Sequence, residues 1–131
     1  MSRFSMPRQA LLLSLTLGLW AFVVYIRFIA SPATLLFIGA SQFDKIAHIA
    51  GGMFIGALVE WRIRRARTSH LAVAVLAAAV IWETLEYLFD ADVSFFYNNA
   101  FNLWLLDSLG DIVAAALGGY GYWVFFKKSR A

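Results

Sequence analysis

Leu71–Phe89 reads LAVAVLAAAVIWETLEYLF. From Leu71 to Ile81 it carries no polar side chain, and its only charges are Glu83 and Glu86. Such a run matches the roughly 20 apolar residues that a helix needs to cross a hydrocarbon core about 30 Å thick. Three further apolar stretches lie on either side: Ala10–Ala30, closed by Ser31-Pro32, then Lys45–Trp61, then Leu103–Phe126. Proline occurs only at positions 7 and 32, outside all four. Lipid cannot satisfy free backbone groups, so each stretch is expected to be helical. The fold class predicted is an all-α membrane protein, a four-transmembrane-helix bundle forming one domain over residues 1–131.

Composition supports this reading. Of 131 residues, 62% are hydrophobic and 15% charged, with a mean hydropathy of +0.72. A soluble domain runs near 45–50% apolar and about 25% charged, and a chain this short has too small a core to hide the excess. Disorder, collagen and coiled coil are excluded by the same figures. The absence of cysteine removes disulfides, thiolate zinc sites and thiol catalysis. A net charge of +3 does not point to nucleic acid, because the basic residues sit at the ends of apolar runs, where they act as topology signals.

Those basic residues orient the chain. Arg3 and Arg8 precede the first stretch, and Arg62, Arg64, Arg65 and Arg67 join the second to the third. Lys127, Lys128 and Arg130 follow the fourth. All therefore fall on one side, with Arg27 and Lys45 the exceptions, so both termini are expected to be cytoplasmic. The first stretch, preceded by Arg3 and Arg8, also resembles a signal peptide. Its length and Arg27 favour a retained anchor, while Ser31-Pro32-Ala33 keeps cleavage open. Of the acids, only Glu60 belongs to the cytoplasmic side. Asp44, Glu83, Glu86, Asp90, Asp92, Asp107 and Asp111 belong to the other half or its loop.

Three motifs carry candidate chemistry: Asp44-Lys45-Ile46-Ala47-His48, Trp82-Glu83-Thr84-Leu85-Glu86-Tyr87 and Asp107-Ser108-Leu109-Gly110-Asp111. The spacings are i,i+4, i,i+3 and i,i+4, so each ionisable pair shares a helix face. Asp44 precedes Arg62 by about 27 Å of helix, Asp107 precedes Lys127 by about 30 Å, and Glu86 follows His70 by about 24 Å. These three mark the outer boundary, and His48, Glu83 and Asp111 lie one turn deeper. An intramembrane carboxylate costs roughly 2.5–3.5 kcal/mol on insertion scales. The six are therefore expected to face one another, a cation or water. Oxygen-rich ligation with one histidine suits a divalent metal ion, Mg, Mn, Zn or iron. Protonation of several of these carboxylic acids, or positive charge from Lys45, Arg27 or His48, is the alternative.

Plainer roles stay open at this stage. Asp44 and Asp107 are also good helix N-caps, and Glu83 and Glu86 also suit an interface facing water. Gly52 and Gly56, with Gly51, and the stripe Gly110, Ala114 and Gly118 are close-packing faces. They pack the second helix against the fourth. Gly119 and Gly121 read as flexible points, and Tyr122 belongs with the aromatic residues at span ends. In the loop 90–102, Phe95, Phe96 and Tyr97 are placed to cover the cluster. Asn98 and Asn102 are candidate headgroup donors or turn formers.

Asp44-Lys45-x-x-His48 ahead of a glycine-rich helix, the acidic pair in the next helix, and Asp107-x-x-Gly110-Asp111 followed by Gly118 resemble VanZ-like bacterial membrane proteins. The Trp82–Tyr87 motif is similar to that of a related group of small inner-membrane proteins with Glu-x-x-Glu there. The resemblance covers residues 44–121. In VanZ-like proteins the third-helix motif more usually carries Asp-Glu followed by Gln, and the fourth ends in Asn where this chain has Asp111. The resemblance implies a cell-envelope protein of the bacterial cytoplasmic membrane, in a family associated with reduced sensitivity to a glycopeptide antibiotic.

The function expected from the residues is a divalent-metal-dependent enzyme, a hydrolase or phosphotransferase, acting on a lipid-linked phosphate at the outer face. Asp44, His48, Glu83, Glu86, Asp107 and Asp111 are the candidate ligands and catalytic groups. Lys45, Arg27, Asn98 and Asn102 are the candidate substrate contacts. A proton- or cation-coupled transporter subunit and a cation-stabilised scaffold are the alternatives. The partners expected are membrane lipid and a further copy of the chain.

Overall fold

The computed structural model describes residues 8–29, 31, 33–34, 44–63, 65–89 and 100–127. Four α-helices appear among them: α1 Arg8–Phe28, α2 Lys45–Arg62, α3 Thr68–Phe89 and α4 Phe101–Tyr122. A π-helical turn, Trp123–Lys127, extends α4. The protein is all-helical, and two helices, α3 and the α4 extension to Phe126, are long and apolar enough to cross a membrane.

The ends of the helices differ from the apolar runs for local reasons. α3 starts at Thr68, because the Arg67 carbonyl accepts from the His70 and Leu71 amides. The His70 ring reaches back so that Nδ1 accepts from the Arg67 amide at 3.2 Å. That is the reciprocal closure which Glu or Gln provides in a capping box. α4 starts at Phe101, with the Ala100 carbonyl accepting from Leu103 and Trp104. Asp107 thus lies inside the helix and is not its cap. Tyr87 and Phe101 meet edge-on at 5.7 Å, and Trp104 lies 4.4 Å from Tyr87, which ties the end of α3 to the start of α4.

α2 is central, touching each of the other three helices, and its most extensive contact is with α4. Small residues make that contact possible. A Cβ on Gly52 would collide with the Ala115 carbonyl, and one on Gly118 with the Ile49 carbonyl. The two backbones therefore touch directly, as in small-residue crossings of membrane helices. Gly51 and Gly121 face open space, whereas Gly119 seats the Val75 side chain of α3. Gly119 is thus a packing position and not a hinge.

The buried set is mostly small: Ala57, Ala79, Ala114 and Ala115, with Leu71 and Val75. Larger side chains point outward, and Val73, Val80, Ile81, Leu88, Leu106 and Leu117 are at least half exposed. Tyr122 reverses this rule. It is fully buried against Ala57, with Leu12, Leu15, Met53 and Phe126 around it. Gly56 makes room for its ring, and its hydroxyl donates to Glu60 Oε2. Tyr122 is therefore a core residue and not part of a span-end belt. Glu60, read from sequence as a boundary acid, is buried beside it.

Tyr122→Phe removes a donor from a buried carboxylate. It is expected to lower stability by about 1.5–3 kcal/mol, the usual contribution of a hydrogen bond to a charged group. Tyr120→Phe, at an exposed ring, is expected to stay within about 0.5 kcal/mol. Equal melting temperatures for the two variants in detergent would contradict this.

Candidate metal centre

The centre is built where the first turns of α2 and the second and third turns of α4 meet α3. Asp44 is the N-cap of α2, and its Oδ1 accepts from the Lys45 amide at 3.0 Å. The Asp44 carbonyl accepts from Ala47 and His48. Capping and participation in the cluster are thus compatible roles for one residue. Burial pushes the Asp44 carboxyl above its usual range, and the nearby charge of Asp111 adds to the rise.

Lys45 is the first partner of the α4 acids. Its Nζ donates to Asp107 Oδ1 at 3.1 Å and to Asp111 Oδ1 at 2.7 Å. The lysine stem crosses α4 over Gly110, where a Cβ would come within 3.0 Å of Lys45 Cε. The glycine in Asp107-x-x-Gly110-Asp111 therefore makes space for the lysine. This ammonium neutralises one charge inside the cluster, so it is an internal counter-ion as the structure stands.

His48 lies between α3 and α4. Nδ1 is 3.7 Å from Glu83 Oε1 and Nε2 is 3.7 Å from Asp111 Oδ1. Both separations exceed direct hydrogen-bonding reach. Glu83 is 4% exposed and its Oε1 has no hydrogen-bond partner among the described residues. A water-facing role for Glu83 is therefore ruled out by its burial. Ser108, 3% exposed, brings its hydroxyl close to the Glu83 carboxylate but short of regular hydrogen-bond geometry. Among the described residues these two buried groups are thus only weakly satisfied, against the usual rule. Ser108 had no role in the reading of the motifs, although it stands three residues before Asp111 and shares its face.

Ligand atoms of Asp44, His48 and Asp111 all lie within 4.8 Å of one another. Metal bonds of about 2.0–2.1 Å put opposite ligands at most about 4.2 Å apart. The three donors would therefore close in by rotamer changes before one ion could be held by all of them. Two carboxylates and an imidazole suit manganese or zinc better than calcium, which takes oxygen alone.

The compact group holds three of the six predicted ligands. Asp107 is engaged by Lys45, and Glu83 lies on the other side of the imidazole from Asp111. Glu86 is half-buried one turn beyond Glu83 on α3. Asn102 is exposed and stands nine residues before Asp111, about half a revolution around α4. It is therefore turned away from the centre. Asn98, with Phe95, Phe96 and Tyr97, and the Arg27 side chain lie outside the described residues.

Comparison with protein-family models, with the curated proteins and with the solved structures finds no match to this chain.

Proposed function

We propose that this protein is a four-span enzyme of the bacterial cytoplasmic membrane that uses a divalent cation on Asp44, His48 and Asp111 to act on a lipid-linked phosphate. The convergence of those three ligand atoms within 4.8 Å carries the reading. Five carboxylates meet one ammonium and one imidazole in this half of the bundle, and a divalent ion offsets the excess negative charge.

Such a cation would polarise phosphate oxygens and lower the pKa of bound water. Glu83, buried against His48 Nδ1, would orient the imidazole so that Nε2 is the ring nitrogen offered to the cation. The lipid surroundings are supported by the inverted packing. Only 22% of the most apolar window of α3 is buried, and 28% of that of α4 with its extension. The core helix of a soluble protein would be mostly covered. An apolar groove between α1 and α2, lined by Leu15, Gly18, Leu19, Phe22, Ile46 and Ala50, reaches the first turn of α2 and suits an acyl or prenyl chain. A VanZ-like assignment is part of this proposal and rests on the three motifs.

A transporter is disfavoured by one feature. Between the cluster and the Glu60–Tyr122 pair, the α2–α4 seam is closed by backbone contact at Gly52 and Gly118. It leaves no polar path along that seam.

The chain lacks cysteine, so single cysteines report its topology directly. Ser69→Cys should react with an impermeant thiol reagent only from the cytoplasm, and Asn102→Cys only from outside. Labelling of both from one side would overturn the arrangement of α3. For activity, protein loaded with Mn²⁺ should release phosphate from phosphatidic acid or a polyprenyl pyrophosphate in mixed micelles, and Asp111→Asn should not. Bound metal without turnover of either would leave the scaffold as the correct reading.

A further inference from the structure

We infer that Lys45 is a tethered competitor of the cation, which metal binding releases to grip a phosphate. This rests on the metal reading above and assigns a regulatory and substrate-binding role to a residue outside the ligand set. The geometry is specific. Asp111 Oδ1 accepts from Lys45 Nζ at 2.7 Å, and the same oxygen is 3.7 Å from His48 Nε2. Asp111 is thus shared by the lysine and the three-ligand group. An ammonium bonded to that carboxylate and a divalent ion ligated by it repel at a few ångströms. Even fully screened by water, that repulsion weakens cation binding by roughly tenfold or more.

Two observations beyond the acidic cluster support a built exchange. Glu83 Oε1, in a side chain 4% exposed, faces His48 without a hydrogen-bond partner. It sits against Nδ1 of the imidazole, which leaves Nε2 as the ring nitrogen that faces Asp111. The lysine seat at Gly110 is also specific, since a methyl there would press on Lys45 Cε and Nζ. The Lys45 side chain is 24% exposed whereas Asp111 is 5% exposed, so the ammonium has a path outward and the carboxylate does not. Once moved off Asp111, it would stay on Asp107, its other and more exposed partner at 3.1 Å, close to the three-ligand group. An ammonium and a divalent ion side by side select a phosphate dianion, whether free or as a lipid headgroup.

The test titrates Mn²⁺ into the full chain in detergent, followed by the loss of its free-ion paramagnetic signal. Lys45→Met should bind at least about tenfold tighter than the unsubstituted protein, and Lys45→Arg should stay within about threefold of it. Gly110→Ala, which keeps the lysine but crowds its seat, should shift affinity in the same direction as Lys45→Met. In a second titration, saturating Mn²⁺ should tighten inorganic phosphate binding by at least about tenfold in the unsubstituted protein and not in Lys45→Met. Dioctanoyl phosphatidic acid is measured beside it, and tighter binding of the lipid identifies the headgroup as the source. Equal Mn²⁺ affinity in Lys45→Met and the unsubstituted protein overturns the competition while leaving the metal centre standing. Mn²⁺ binding to none of the four proteins overturns the centre itself, and the exchange with it. If Lys45→Met does not fold, Lys45→Gln gives the same comparison.

Discussion

Adding a single methyl group at Gly52 or at Gly118 is expected to separate α2 from α4 and to cost about 3 kcal/mol or more. Alanine is intrinsically the better helix former by about 0.5–1 kcal/mol, so propensity alone predicts stabilisation. The surroundings reverse that sign. At Gly52 the new Cβ meets the Ala115 carbonyl, and at Gly118 it meets the Ile49 carbonyl. A backbone carbonyl cannot rotate away as a side-chain tip does. The helices must move, at or beyond the upper end of the about 1–3 kcal/mol typical of overpacking. Gly51→Ala and Gly121→Ala provide the contrast, because neither Cβ meets an atom within 4 Å. Those two variants should melt at or above the temperature of the unsubstituted protein in detergent. The double variant at Gly52 and Gly118 should lose less than the sum of the singles, since one displacement relieves both collisions. A Gly52→Ala protein that melts with Gly51→Ala would disprove the close crossing.

Removal of a divalent cation is expected to give the second large effect. A ligand that binds only the folded state adds RT ln(1 + [L]/Kd), about 2.7 kcal/mol at a hundredfold excess over Kd. Without the cation, the Asp44 and Asp111 carboxylates converge beside His48 with Lys45 as the principal compensation. The end of the bundle that holds the cluster should then loosen, because crowded and poorly solvated carboxylates must protonate or repel. A chelator should therefore lower the melting temperature, and added Mn²⁺ should restore it. His48→Ala and Asp111→Ala should abolish the response. Arg65→Ala, at an exposed position remote from the centre, should leave it intact. A melting curve indifferent to chelator, in protein that elemental analysis finds free of metal, would reject the centre in favour of a proton-shared carboxylate cluster.

Much of this was legible in order along the chain. Apolar length announced the helices, and i,i+4 spacing announced that Asp44 shares a face with His48, and Asp107 with Asp111. Helical geometry is local and repeats at 3.6 residues per turn, so spacing alone carries that information. Small-residue steps also indicated that α2 meets α4. Which glycines touch was not legible, because Gly51 and Gly52 differ only by rotation about the helix, and only the packed partner separates them.

The same limit applies to the centre and to Tyr122. Six ionisable residues at two depths could be read from counting to the basic flanks. That Lys45 bridges Asp107 and Asp111, that Glu83 lies behind His48, and that Ser108 is buried beside this group depended on side-chain directions across three helices. Tyr122 near a basic chain end reads as an interfacial aromatic, yet Gly56 on another helix opens the space that buries it and brings its hydroxyl to Glu60. Local periodicity determined which residues share a face, since the backbone repeats without reference to the rest of the chain. Tertiary packing decided which faces meet and which charge answers which, since those depend on contacts between residues about 60 positions apart.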